Sequence, residues 1–172
     1  MKQLRVWRLS TDVSTTSGDA RMQKNESFED FVAAVSPPLR RAFVARYGVD
    51  LGNEALADAL AWAWEHRDRL GEVTNPTGYL YRVGQTSVRG NLRRRRRALL
   101  PVEEPPEHGP DRDVHLHAAL EQLSDDQRVA VILVHAHGYS YADAADVLDI
   151  PVTTLRNHIH RGMKRLRRHL EH

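Results

Sequence analysis

Residues 140–168 read SYADAADVLDIPVTTLRNHIHRGMKRLRR, and this stretch decides the fold class. Ser140 is a favourable N-cap for a first short helix, which ends before Pro151 because proline has no N–H to continue it. A second, basic helix follows, with apolar residues at helical spacing along one face: Leu155, Ile159, Met163 and Leu166. A short helix, a tight turn and a basic helix are typical of a helix-turn-helix, whose second helix enters the major groove of DNA.

The remaining faces of the second helix carry side chains that donate hydrogen bonds to base edges and phosphates. The residues expected to face the groove are Arg156, Asn157, His158, His160 and Arg161. Thr153 and Thr154 belong at the helix N-terminus near phosphates, and Lys164 and Arg165 are expected to contact the backbone. A two-helix corner with a solvated basic face is the alternative, but turn chemistry, apolar spacing and charge together favour a DNA reader.

Charge lies in blocks along the chain, although the net charge of the 172 residues is only +2. Residues 89–97 hold six arginines and no acid, and residues 156–168 hold six lysines or arginines and no acid. Between these blocks, residues 103–113 hold five acids. Two basic segments on either side of an acidic connector predict a polyanion bound at two places.

Several classes of protein are excluded by what the sequence lacks. It has no cysteine, so disulfides and cysteine metal sites are excluded. It has neither an apolar run of about 20 residues nor a signal peptide, so a soluble cytoplasmic protein without a membrane span is expected. The histidine pairs lie two positions apart and diverge on a helix, so neither a metal site nor a cofactor is expected. Without a phosphate loop or a hydrolase motif, the chain is not expected to be an enzyme.

Apolar periodicity elsewhere predicts further helices and no useful strand, so the fold class is all-α, with two small helical domains. A helix begins near Ser27 and is interrupted at Pro37-Pro38, another is capped by Asn53, and a third begins at Asn75-Pro76. The stretch PVEEPPEHGP is typical of a linker. The predicted organisation is a flexible N-terminal arm over 1–26, a helical domain over 27–98, an acidic Pro-rich linker over 99–112 and a helix-turn-helix domain over 113–172.

The sequence resembles the sigma-70 family of transcription initiation factors, in the compact extracytoplasmic-function type. Residues 120–168 resemble region 4, with a capped Leu-x-x-x-x-Arg helix, then S-Y-x-x-x-A, then I-P-x-x-T-[VL]-R and a basic helix. Residues 43–97 resemble region 2, with a tryptophan near a helix end, then N-P-x-x-Y-L-Y-R-V and an arginine run.

The resemblance implies binding to core RNA polymerase and recognition of promoter DNA. Region 2 would dock on the clamp helices and contact the −10 element, region 4 would read the −35 element and touch the flap, and an anti-sigma factor is a common further partner. The implied polymerase-binding residues are Leu56, Asp58, Ala59 and Trp62. The implied −10 and backbone contacts are Gln85, Arg89, Arg93, Arg94, Arg95, Arg96 and Arg97.

Two departures from the family pattern keep alternatives open. Residues 55–59 read ALADA where the family carries Asp-Leu-x-Gln-[Glu/Asp], and Arg89 replaces an acid. One alternative is a sigma-like helix-turn-helix regulator that does not act through core polymerase. Another is an interaction protein, such as an adaptor or decoy, that binds polymerase or another factor through its helices.

Overall fold

The computed structural model describes residues 17–97 and 113–170, and within these ranges the side chains of 28–92 and 116–170. Every regular element in this part of the chain is helical, so the predicted all-α class is confirmed. None of these helices combines the length and the apolar character needed to cross a membrane. The elements are α1 (Ser17–Tyr47), α2 (Val49–Glu65), α3 (Arg67–Leu70), α4 (Pro76–Arg97), α5 (Asp113–Glu121), α6 (Asp125–Val131), a π-helical turn (Ile132–Ala136), α7 (Tyr141–Leu148) and α8 (Val152–Leu170). We call α1–α4 the N-terminal unit and α5–α8 the C-terminal unit.

Helix α1 runs through Pro37 and Pro38, whereas the proline pair predicts an interruption. Each proline removes the N–H that would bond the carbonyl four residues earlier, here those of Ala33 and Ala34. Both alanines are exposed, so water can hydrate the two carbonyls.

The ends of α1 and α2 also differ from the prediction. Helix α1 begins at Ser17 and not near Ser27, so residues 17–26 of the predicted arm are helical, while residues 1–16 lie outside the described residues. Gly48 separates α1 from α2 with a φ of 81°, in the left-handed region where glycine has no steric penalty. Helix α2 therefore begins at Val49, one turn before the predicted cap Asn53.

The core of the N-terminal unit forms where α1, α2 and α4 cross. Helix α4 begins as predicted, because the Asn75 side-chain oxygen accepts a hydrogen bond from the Gly78 N–H at 3.0 Å. The ring of Phe43 stacks on that of Tyr81 with centroids 5.2 Å apart, and both side chains are buried. Gly84 permits this crossing, because a Cβ there would overlap the Phe43 ring and lie 2.8 Å from the Ala55 carbonyl oxygen.

The replacement Gly84→Ala is expected to destabilise the protein by about 1–3 kcal/mol, because the added methyl group over-packs this crossing. Gly90→Ala on the same helix is the matched control, since a Cβ at that position meets nothing within 4 Å. That control should stabilise by about 0.4–1 kcal/mol through its effect on the unfolded chain. Urea unfolding of both variants measures the difference, and equal stability of the two would contradict the packing described.

The C-terminal unit follows the predicted local signals closely. The Ser124 hydroxyl oxygen accepts from the Gln127 N–H at 3.3 Å and the Gln127 side chain accepts from the Ser124 N–H at 3.4 Å, which completes the predicted capping box. The Ser140 hydroxyl oxygen accepts from the Asp143 N–H at 3.1 Å and caps α7. Asp149 ends α7 with a φ of 53°, a left-handed conformation that aspartate tolerates better than most residues.

The two units share one apolar cluster. Phe43 and Leu80 of the N-terminal unit belong to the same buried cluster as Leu133 and Leu155 of the C-terminal unit. A second, smaller cluster lies between α5, α6 and α8. The helix-turn-helix is therefore packed directly against the helices that precede the acidic segment, while the predicted linker 99–112 lies outside the described residues.

Candidate nucleic-acid interface

Helix α8 buries an apolar stripe and exposes a basic face, as its spacing predicts. Leu155, Ile159 and Leu166 are buried against the rest of the C-terminal unit, and Met163 is half-buried. The exposed side chains on the other faces are Thr153, Arg156, Asn157, His160, Arg161, Lys164 and Arg165. Because α8 carries no acid, this face presents an unbroken series of donors suited to phosphates and base edges.

Two residues of the predicted reader set lie differently. Thr154 is half-buried at the start of α8. His158 is also half-buried and lines a cleft between the two units, so in this conformation it does not lie on the open reader face. His158 lies three positions after buried Leu155 and next to buried Ile159, so it is at the edge of the apolar stripe of α8.

The predicted second basic segment is the C-terminal part of α4. Gln85 is half-buried and Arg89 is exposed, and both line the cleft that His158 also reaches. The helical backbone continues to Arg97, and the side chains of Arg93, Arg94, Arg95, Arg96 and Arg97 lie outside the described ones.

The predicted polymerase-binding residues on α2 divide into two groups. Ala59 is 0% exposed and packs in the core, so its predicted contact with a partner is wrong. It is buried because Ala55, Ala59 and Ala63 form the stripe on which the neighbouring helices pack. Leu56, Asp58 and Trp62 are half-buried, and the Asp58 carboxylate accepts a hydrogen bond from the Ser87 hydroxyl.

An aromatic group at the end of α2 was not part of the predicted site. The Trp62 ring stacks on His66 with centroids 4.2 Å apart and lies 5.1 Å from the Tyr79 ring. Tyr79 is 39% exposed, so the group reaches the surface. Residues 62 and 66 are one helical turn apart, which is the signal that could have identified the pair.

The C-terminal unit caps the last turn of α1. Carbonyl groups at a helix C-terminus have no partner within the helix and need donors from elsewhere. Arg128 of α6 donates to the Ala45 carbonyl oxygen at 3.1 Å and to the Arg46 carbonyl oxygen at 2.6 Å. The same guanidinium is held by the Asp125 carboxylate at 2.9 Å, so the donor is oriented from within its own unit.

The N-terminal unit caps the end of α7 in return. The Asn75 side-chain amide, whose oxygen caps α4, donates to the Asp146 carbonyl oxygen at 2.8 Å. Arg82 of α4 donates to the Asp149 carbonyl oxygen at 3.0 Å and pairs with the Asp149 carboxylate at 2.5 Å. Each unit therefore supplies hydrogen-bond donors that complete a helix end in the other unit.

A buried arginine completes this interface. The Arg46 guanidinium pairs with the Asp126 carboxylate at 2.5 Å, and its side chain is 9% exposed against 57% for Asp126. Burial lowers the pKa of Arg46, but Tyr81 and the Asp126 carboxylate outweigh this effect, so the pKa lies above its ordinary value and the group stays charged. Arg46 and Asp126 line the cleft described above, which has a volume of about 260 Å³.

Comparisons with known proteins show what this chain is similar to. The family model described as sigma-70, region 4 matches residues 114–166. The extracytoplasmic-function (ECF) RNA polymerase sigma factor EcfG of Rhodopseudomonas palustris (strain TIE-1) is 28% identical over 155 residues, which cover 84% of this chain and 86% of the relative. The C-terminal unit matches region 4 of the sigma-70 family, and the chain as a whole is similar to ECF sigma factors. The ECF RNA polymerase sigma factor SigX of Bacillus subtilis (strain 168) is 38% identical over 73 residues, covering 42% of this chain and 37% of the relative.

A similar fold is found in a solved structure. The sigma factor RpoE, in complex with the anti-sigma factor NepR from Bartonella quintana, matches with a TM-score of 0.60 and 26% sequence identity. The match covers 85% of this chain and 98% of that chain. The region 4 match spans α5, α6, α7 and most of α8, so the exposed basic face of α8 lies within the part of the chain that matches region 4.

Proposed function

We propose that this ECF sigma factor binds core RNA polymerase and directs it to promoters, with α8 reading the −35 element. The observation that carries the proposal is the exposed, acid-free basic face of α8 within the part of the chain that matches sigma-70 region 4. Arg156, Asn157 and Arg161 supply the donors for base edges, and Thr153 lies near the phosphates at the helix N-terminus. The protein acts in the cytoplasm together with the polymerase, and we assign no catalytic step to it.

The C-terminal part of α4 is proposed as the second DNA contact, near the −10 element. Arg89 is exposed on this helix, and the arginine run 93–97 continues it. A series of arginines binds phosphates through charge, so the affinity of this contact does not depend on base sequence.

Leu56, Asp58 and Trp62 of α2 are proposed to face the polymerase clamp, with Ala59 supporting them from the core. Region 4 is proposed to touch the flap. The solved relative RpoE binds an anti-sigma factor, and we propose a partner of that class for this chain.

Two measurements test the proposed function together. A pull-down with core polymerase should retain the protein, and run-off transcription should depend on both the protein and a promoter. Retained duplex binding, without polymerase binding and without transcription, would contradict the proposal and favour a sigma-like DNA-binding regulator.

Replacing Arg94 and Arg96 by glutamine is expected to weaken binding to every duplex alike. Each lost phosphate contact should reduce the slope of log K against log salt by about 0.9. Fluorescence anisotropy between 50 and 200 mM salt, on a promoter duplex and on a scrambled duplex, measures both effects. A loss confined to the promoter duplex would show that these arginines read bases and do not simply bind phosphates.

A further inference from the structure

We infer that the cleft lined by Arg46, Tyr81, Gln85 and Arg89 binds a small anion with two adjacent phosphate groups, either free pyrophosphate or the diphosphate of a nucleotide. The cleft has a volume of about 260 Å³. This is less than the roughly 300–1,000 Å³ of pockets that hold drug-sized ligands, so the ligand must be small. The inference does not depend on the proposed function, because it concerns binding by the free chain without polymerase or DNA.

The first observation is an excess of positive charge in the cleft. The Arg46 guanidinium pairs with the Asp126 carboxylate at 2.5 Å. The Arg82 guanidinium pairs with the Asp149 carboxylate, also at 2.5 Å. Arg89 is exposed, lines the same cleft and has no ion pair within the described part of the chain. Because these two aspartates are the acids that line the cleft, one positive charge is left uncompensated there.

The second observation is a buried hydroxyl that lacks a partner. The Tyr81 side chain is 2% exposed, and its hydroxyl makes no hydrogen bond with any residue that the structure describes. The core uses only the ring, which stacks on Phe43, so a phenylalanine would pack equally well. A buried polar group without a partner costs free energy, because it loses its hydrogen bonds with water. The hydroxyl is therefore better explained by a ligand than by packing.

The hydroxyl of Tyr81 lies at the cleft end of the ring and carries a proton. Burial raises the pKa of Tyr81, and the nearby Arg46 and Gln85 side chains oppose this effect without completing a hydrogen bond. Both of these neighbours line the cleft, as Tyr81 does. A phenol that keeps its proton can donate a hydrogen bond to an anion, and the two neighbours supply further N–H donors beside it.

The third observation is that the donors and the volume together suit a diphosphate. A guanidinium forms paired hydrogen bonds with phosphate oxygens, which a chloride ion cannot accept in the same geometry. Val129, Leu148 and Ile150 give the cleft an apolar wall, which lowers the local dielectric constant and strengthens attraction between arginine and anion. At about 30 Å³ for each water molecule, the cleft holds roughly eight waters, and two adjacent phosphate groups fill most of this space.

Calorimetric titration of the free, full chain with inorganic pyrophosphate tests the site, at constant ionic strength and without divalent metal. Tyr81→Phe keeps the ring and should weaken binding at least about tenfold, the loss expected for a hydrogen bond to a charged group. Tyr79→Phe is the matched control, because Tyr79 lies on the same helix, is 39% exposed and does not line the cleft. Equal Kd values for the two variants would overturn the inference.

A second variant tests the charge of the cleft without touching the core. Arg89→Gln, at an exposed side chain, should weaken pyrophosphate binding at least about threefold, a modest effect because water screens the charge. Arg69→Gln removes the same charge at an exposed position outside the cleft and should leave the Kd unchanged. Equal weakening in both variants would show that only net charge matters, and it would overturn the site. Thermal unfolding without the anion confirms that each variant is folded.

Titrations with other anions identify the ligand. A nucleoside diphosphate that binds more tightly than pyrophosphate would support the site and assign it to a nucleotide, whereas equal affinity would support it and assign it to the phosphate groups alone. Sulfate that binds as tightly as pyrophosphate would indicate an adventitious ion only and overturn the inference. It would also be overturned if pyrophosphate did not bind and Tyr81→Phe instead weakened binding to a DNA duplex.

Discussion

Replacing Arg156 and Arg161 together by alanine is expected to lower affinity for the −35 duplex by at least about 2 kcal/mol, roughly thirtyfold. Each bidentate contact between a side chain and a base is worth about 1–3 kcal/mol of discrimination. Both side chains are exposed on the open face of α8, so the double variant should fold normally. Competition binding against duplexes carrying single base changes measures the loss.

The same helix offers a matched control for this pair. Arg167 and Arg168 are exposed in the last turn of α8, and their joint replacement removes the same charge. The control should weaken binding to all duplexes modestly and keep discrimination between base sequences. Equal loss of discrimination in both double variants would show that α8 does not enter the groove with its N-terminal half.

Phe43→Ala is expected to destabilise the protein by about 3–5 kcal/mol, because it leaves a cavity where three helices cross. The Phe43 side chain is fully buried, stacks on Tyr81 and lies against Gly84. At about 2–4 °C per kcal/mol for a chain of this size, the midpoint of thermal unfolding should fall by at least about 6 °C. Circular dichroism during heating measures the change.

Val49→Ala provides the control for this loss of apolar volume. Val49 is 61% exposed at the start of α2, so truncating it should change stability by less than about 0.5 kcal/mol. A small effect at Phe43, comparable to that at Val49, would mean that the crossing of α1, α2 and α4 is not the centre of the core.

The elements that the sequence predicts well are those governed by neighbouring residues. Ser124 and Ser140 cap their helices, and Asn75 caps α4, because each cap involves residues within one turn. Helix α8 begins at Val152 after Pro151, and its buried stripe follows from helical spacing.

The features that the sequence did not predict depend on contacts between distant segments. Pro37 and Pro38 remain within α1 because solvent reaches the carbonyls that lose their partners, and solvent access is a property of the whole fold. Arg46 and Asp126 are 80 positions apart, so no local pattern pairs them. Ala59 was expected at a partner surface and is buried. A small residue on a helix suits close packing in the core as well as contact with a partner, so the sequence does not distinguish the two.

The apolar cluster that both units share makes separation of the units hazardous for a molecule that has no partner. Separating the units transfers part of that cluster to water, and apolar surface in water attracts other apolar surface. A molecule that opened far from its target would therefore be prone to aggregation and attack by proteases. A large partner that covers the apolar surface while the units separate would prevent both aggregation and proteolysis.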